Sequence, residues 1–249
     1  MIILDETLDK CPACECVFFA EYCGTKYGID ELPDLQYHKC DGCGLLFLNP
    51  RMGDEQLREF YKSDYRVYVE KFVPSYSPEQ DEYRQMARAS AIDRLLDKAT
   101  VTSHLDIGCS RGELLHRISA PVQAGVEWNE EDADLCERCG IEMYDLDAIG
   151  IRFDLITVIQ VLEHSNHPVQ MIERLLPLLN KGGRLVIEVP NADYGHSQDL
   201  WHPMMFTDDT LRKTIEIAKG KVVRMFAYKG YRPVDEPYYI FAEVKNGNK

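Results

Sequence analysis

Beyond residue 100 the chain alternates two patterns. Short apolar runs at 103–107, 123–127, 154–161, 184–189, 221–229 and 238–244 have the length and the bounding turn residues of β-strands. Between them, 113–118, 130–139, 168–179 and 208–219 carry apolar residues at helical spacing. Asn180-Lys181-Gly182-Gly183 reads as a helix stop followed by a tight turn, and Gly230-Tyr231-Arg232-Pro233 as the turn of a terminal hairpin. Strand and helix in regular alternation predict an α/β domain built on one sheet.

The first hundred residues read differently. Residues 51–100 are rich in Tyr, Glu, Arg and Ala and predict helix. A short amphipathic stretch covers Gln56-Leu57-Arg58-Glu59-Phe60-Tyr61, and Ser75-Tyr76-Ser77-Pro78 marks a turn. Over 79–98, Tyr83, Met86, Ala87, Ala91, Ile92, Leu95 and Leu96 recur at helical spacing. Residues 1–50 hold six of the nine cysteines: Cys11, Cys14, Cys16, Cys23, Cys40 and Cys43. Three zones follow: a cysteine-rich segment at 1–50, a helical linker or lid at 51–100, and the sheet domain at 101–249.

Charge narrows the partners. The 249 residues include 28 Lys and Arg against 42 Asp and Glu, a net charge of −14. Nucleic-acid binding through phosphates needs clustered cations, so no nucleic-acid partner is expected. No run of 18 apolar residues is present, so no membrane-spanning helix is expected. The start, MIILDETLDKCPAC, lacks the basic region and apolar stretch of a signal peptide. Nine cysteines without a secretion signal point to a reducing, cytoplasmic setting in which metal ligation outweighs disulfides.

Cys11-Pro12-Ala13-Cys14 and Cys40-Asp41-Gly42-Cys43 form a CxxC…CxxC pattern. Two intervening residues let both thiolates of a pair reach one ion from a tight turn, and four thiolates suit tetrahedral Zn²⁺. The spacing predicts a closed, structural zinc site at Cys11, Cys14, Cys40 and Cys43, with Cys16 as a competitor of Cys14. Its role is to fold a segment too small to carry a core of its own.

The central motif is His104-Leu105-Asp106-Ile107-Gly108-Cys109-Ser110-Arg111-Gly112-Glu113, an apolar strand running through a glycine-bearing loop into a helix. In an open parallel sheet such a first crossover lies at the carboxyl edge, where ligands bind. Glu127 closes the next strand, Gly125-Val126-Glu127, where a carboxylate is placed to accept from both ribose hydroxyls. The glycines fall as Gly108-x-x-x-Gly112 rather than GxGxxG, with Asp106 before them and Glu113 after. Acids at that place suit a cofactor bearing an ammonium and a sulfonium and repel a pyrophosphate.

DIGCSRG, GVEW, FDLITVIQVLEHSNHP and LLPLLNKGGRLVIEVPN resemble the ordered motifs of class I S-adenosylmethionine-dependent methyltransferases, over about residues 100–249. CDGCGLLFLNPRMGDEQLREFYKSDY is similar to the N-terminal zinc-ribbon segment of a bacterial group of these enzymes, many of them acting in glycan or natural-product pathways. The resemblance implies a doubly wound, seven-stranded Rossmann-like sheet whose last strand is antiparallel, with a small N-terminal zinc ribbon. It implies S-adenosyl-L-methionine as cofactor, with Asp106, Gly108 and Gly112 at its methionine part, Glu127 at the ribose, Trp128 beside the adenine and Asp145 (or Asp147) at the adenine amino group. Gln160, Val161 and His164 then follow the fourth strand, where the methyl end meets the acceptor. Ser110 stands where the family often has a glycine, and fits if its φ is negative.

A hydroxyl acceptor needs a base, and imidazole has the right pKa. His164, and His202 in the 17-residue stretch from Asn191 to Thr207, are the candidate catalytic residues, with His167 and His196 nearby. Trp201, Met204, Met205 and Phe206 surround His202, and Tyr61, Tyr65 and Tyr68 are placed to reach over the same pocket. By analogy with the family, the expected reaction is O-methylation of a small polar, sugar-like acceptor. The alternatives are an RNA methyltransferase that holds RNA with its ribbon, and a non-catalytic nucleotide-binding zinc module.

Overall fold

The structure, a computed structural model, describes residues 3–25, 33–65, 67, 78–96, 101–194, 199–229 and 237–247. Tyr68, His196, the turn at 75–77 and the hairpin turn at 230–233 lie outside the described residues.

The sheet domain starts with β4 (Ser103–Ile107), every residue of which is buried. It continues with β5 (Val122–Val126), β6 (Glu142–Met143), β7 (Phe153–Ile159), β8 (Leu179–Pro190), β10 (Gly220–Tyr228) and β11 (Tyr239–Asn246). Their order is β10-β11-β8-β7-β4-β5-β6. β11, the last in sequence, runs antiparallel between β8 and β10, and the other neighbours pair in parallel. The chain winds outward from β4 to β6 and then returns to the other side of β4 as β7. That reversal opens a crevice at the carboxyl ends of β4 and β7.

Helices cover both faces. α2 (Pro78–Leu95) sets Ala89, Ile92 and Leu95 into a buried cluster with Leu114, Leu155, Val186 and Phe241. α3 (Glu113–Arg117) follows the β4 loop, and α4 (Glu130–Arg138) is capped by Asn129, whose side chain accepts from the Asp132 amide. α5 (Pro168–Leu175) begins on proline, which needs no donor there, and α6 (Asp208–Ile217) on a Thr207/Thr210 capping box. Glu142–Met143 escaped the sequence pattern because two residues carry no periodicity. The predicted helix stop at Asn180–Gly183 is instead the start of β8. Pro177 in the short turn Leu176–Leu178 ends α5 earlier, and Leu179 already pairs with Phe153.

Residues 3–52 build a second sheet from β1 (Phe19–Thr25), β2 (Leu35–Cys40) and β3 (Leu46–Leu48). Its fourth strand, β9 (Met204–Met205), comes from the far end of the chain, with Leu46 opposite Met205 and Phe47 opposite Met204. Cys11, Ala13, Cys40, Cys43, Leu45 and Phe47 belong to the same buried cluster as the sheet-domain residues Leu105, Ile156 and Ile187. α1 (Asp54–Glu59) runs on through a wider turn at Phe60–Asp64 and lies over the crevice rim. No helix among the described residues is long and apolar enough to cross a membrane.

Candidate functional site

Two groups of ligand-type side chains, among the described residues, stand close enough to share an ion. The first is Cys11, Cys14, Cys40 and Cys43, whose sulfurs all lie within 4.8 Å of one another. Cys11 Sγ is 3.7 Å from Cys43 Sγ and Cys14 Sγ is 3.5 Å from Cys40 Sγ. A tetrahedron with Zn–S bonds of about 2.3 Å has edges of about 3.8 Å, so the donor set fits the ion. Cys16 turns its sulfur to the Phe18 carbonyl instead, leaving Cys14 as the fourth thiol. Gly42 permits this packing, since a Cβ there would meet Cys16 Cβ at 3.0 Å. Hydrogen bonding from the Cys11 thiol draws Cys43 down to about 5.

At the crevice, the β4 loop is drawn onto the end of β5. Glu127 Oε2 accepts from the Ser110 amide at 2.9 Å, and Oε1 from the amides of Trp128 and Asn129 at 2.7 and 2.9 Å. With two donors on Oε1 and one on Oε2, Oε2 keeps an acceptor site for a further donor. Gly108 and Gly112 have φ of +70° and +78°, and a Cβ on them would come within 2.5 Å of Val161 and 2.4 Å of Ile141. Ser110 also has a positive φ, +47°, contrary to the negative value expected of it. The bond to Glu127 and the thiol of Cys136 on its carbonyl hold it there.

Beneath the loop Asp106 is buried, and burial raises its carboxyl to about 7. The Thr157 hydroxyl donates to it at 2.6 Å and lies 2.8 Å from His104 Nε2. Burial holds His104 down to about 3, so its imidazole is neutral, with Nε2 carrying the proton toward Thr157. These acids fit a cationic ligand. Trp128 is 39% exposed at the crevice mouth, flanked by Tyr61 at 6.1 Å and by the Arg58 guanidinium at 5.7 Å. Asp145 is exposed after β6 and caps the amide of Asp147, whereas Asp147 itself is paired with Arg174 at 2.8 Å. Gln160, at φ +55°, turns its amide to the buried carboxylate of Glu188, 3.1 Å away. Arg88 and Tyr228 hold that carboxylate as well.

Next to Val161 lies the second group, Glu163, His164 and His202. The two imidazoles are 4.8 Å apart between ring centres, tilted by 32°. His164 Nδ1 sits 2.5 Å from the Trp201 carbonyl, which only accepts, so Nδ1 bears the proton and the Nε2 lone pair is left toward Glu163, 3.8 Å away. Tyr61 reaches the same Nδ1 at 2.6 Å, and Tyr65 packs beside the ring. Burial, and then His202, hold His164 down to about 3. Glu163 is 1% exposed, and burial pushes it up to about 8. His202 Nδ1 is 3.5 Å from Asp199 Oδ2, and the Tyr37 hydroxyl holds the His202 carbonyl at 2.7 Å. His167 lies aside, against Asp54. Trp201, Met204, Met205 and Phe206 are buried, so they are packing residues rather than an open cover.

The sequence gives no separate role to Glu163, although Glu163-His164 together match a family signature after the fourth strand, and none to Asp199, Thr157 or the Arg88–Glu188 pair. The adjacency of Glu163 to His164 was the one available signal. Arg88 and Glu188 meet across 100 residues and leave none.

Residues 80–218, more than half of the chain, match a family model described as a methyltransferase domain. An uncharacterized protein of Methanocaldococcus jannaschii is 22% identical over 185 residues, covering 72% of this chain and 88% of that protein. A mitochondrial ubiquinone biosynthesis O-methyltransferase of Candida albicans is 28% identical over 156 residues, covering 53% of this chain and 46% of the relative, under half its length. Among solved structures, the plantazolicin methyltransferase BpumL in complex with SAH superposes with a TM-score of 0.58 at 18% identity, over 76% of this chain and 94% of that one. At that identity the likeness concerns the fold.

Proposed function

We propose an acceptor and a set of roles for this chain, which belongs to the class I S-adenosylmethionine-dependent methyltransferases. The acceptor is a small polar molecule, sugar or sugar-like, methylated on oxygen. The name of the Candida albicans relative supports oxygen as the acceptor atom. S-adenosylmethionine supplies an already activated methyl group, so the chain's part is to align the acceptor and exclude water.

Glu127 holds the ribose hydroxyls at Oε2, where its amide partners leave an acceptor site. Asp106, Gly108 and Gly112 receive the methionine part, Trp128 the adenine ring and Asp145 its amino group, since Asp147 is engaged by Arg174. Gln160 and Val161 form the floor between cofactor and acceptor. The acceptor hydroxyl meets the imidazole pair. His202 takes its proton, with the Asp199 carboxylate steadying the resulting cation, because His164 is too weak a base and its Nδ1–H is committed. Cys11, Cys14, Cys40 and Cys43 hold a structural Zn²⁺ that braces the first 50 residues.

One observation carries the reading: the carboxylate closing β5 is hydrogen-bonded to the loop leaving β4, which makes sugar anchor and methionine cradle a single unit. The test is a thermal-shift comparison of S-adenosylhomocysteine with NAD, followed by labelled-methyl transfer into an extract of the host. Stabilisation by the former alone, and a labelled polar small molecule, are the expected results. No response to S-adenosylhomocysteine, or label appearing only in RNA, overturns the proposal.

A further inference from the structure

Glu163 is a buried acid at the acceptor end that the roles above leave unused. It is 1% exposed, and neither carboxylate oxygen has a hydrogen-bond partner. Buried carboxylates are paired, hydrogen-bonded or bound to metal, because an unpartnered one forfeits its hydration without return. Around it stand two imidazoles, and one ligand atom from each of the three residues lies within 4.8 Å of the other two. The Nδ1–H of His164 is pinned to the Trp201 carbonyl, which turns its Nε2 lone pair inward. A carboxylate, Asp199, stands on the second imidazole. Carbonyl and carboxylate partners of this kind are what orient histidines that bind metals.

We infer that Glu163, His164 and His202 form a second metal site, for a divalent first-row transition ion, distinct from the four-thiol cluster. Two imidazoles and a carboxylate suit Zn²⁺, Fe²⁺ or Mn²⁺ and leave coordination positions open. The inference rests on the placement of the acceptor given above. A hydroxyl oxygen donates a lone pair to the ion and is acidified by it. Its proton leaves to solvent, and the oxygen then attacks the methyl carbon as the carbon–sulfur bond breaks toward sulfur. His202 is a ligand when the ion is bound and the proton acceptor when it is not.

Manganese separates the two metal sites, since soft thiolates retain zinc and disfavour Mn²⁺. The chain loaded with a single equivalent of zinc, which the four thiolates take first, is titrated with Mn²⁺, and free Mn²⁺ is followed by electron paramagnetic resonance. S-adenosylhomocysteine binding is measured on the same samples. Wild type is expected to bind one equivalent, and Glu163→Gln and His202→Asn to bind it at least tenfold more weakly, with S-adenosylhomocysteine affinity within about twofold throughout. Absence of saturable Mn²⁺ binding in wild type, or wild-type affinity in the variants, overturns the site. Loss of S-adenosylhomocysteine binding in wild type would instead overturn the reading of the cofactor crevice.

Discussion

Replacing Asp106 by Asn separates what this carboxyl does for a ligand from what it does to the fold. Burial raises it from 3.8 to about 7, reinforced by Glu127 and Glu113 and opposed by Thr157 and Arg88. The native state therefore keeps the proton to higher pH than the unfolded chain does. Its contribution to stability is full below about pH 4 and is lost as pH climbs through about 7. At about 1.4 kcal/mol per pH unit, the interval from 3.8 to about 7 amounts to ~4 kcal/mol. Asn keeps an acceptor for the Thr157 hydroxyl and cannot ionise. In urea denaturation, D106N should match wild type near pH 4 and gain on it steadily, leveling at an advantage of ~4 kcal/mol above pH 7. Ligand affinity should move the other way. Calorimetry with S-adenosylhomocysteine should show wild type binding more tightly at pH 8 than at pH 6, and D106N weaker at pH 8 and indifferent to pH. A constant stability difference from pH 4 to 8 would refute the buried-acid argument. A wild-type affinity that ignores pH would remove Asp106 from the ligand.

Four further outcomes are expected. Glu127→Ala should weaken S-adenosylhomocysteine binding about 10- to 100-fold, the worth of hydrogen bonds to a charged acceptor; unchanged affinity by calorimetry refutes the ribose assignment. Ser110→Gly should relieve the +47° φ and raise stability by up to about 1 kcal/mol in denaturant melts; a loss would show that the serine side chain is needed. Stripping metal with a strong chelator should lower the melting temperature and shift the fluorescence of Trp201, which is buried against residues of the cysteine-rich sheet, more than that of exposed Trp128; a melt indifferent to chelation refutes a structural ion. His202→Ala should slow methyl transfer about 100-fold or more while sparing S-adenosylhomocysteine affinity; a fully active variant excludes it.

The parts of this protein that are local in sequence were legible. β4, its loop and the acid ending β5 lie within 25 residues, and each step (apolar run, glycine, helix start) has its own chemical mark. The CxxC pairs are equally compact. Ser110 was misjudged because its conformation is set by a bond to Glu127, 17 residues on, and not by the loop itself. Asn180–Gly183 has the composition of a turn, but pairing of Leu179 with Phe153 overrides it. The burial of Glu163 was invisible, since a carboxylate beside a histidine reads identically on a surface and in a core.

Two methionines decide how far this architecture can be taken apart. Because Met204 and Met205 complete the cysteine-rich sheet from the far part of the chain, and the Leu48 amide bonds the Pro203 carbonyl at 2.9 Å, the cysteine-rich segment does not hold all of its own strands. A chimera that exchanges residues 1–50 for those of another protein would seat β9 against a foreign edge, two residues along from His202. Grafts of that kind keep the reacting end in register only if the donor also brings a matching Leu46–Leu48 edge, so in this chain the two segments have to be exchanged together.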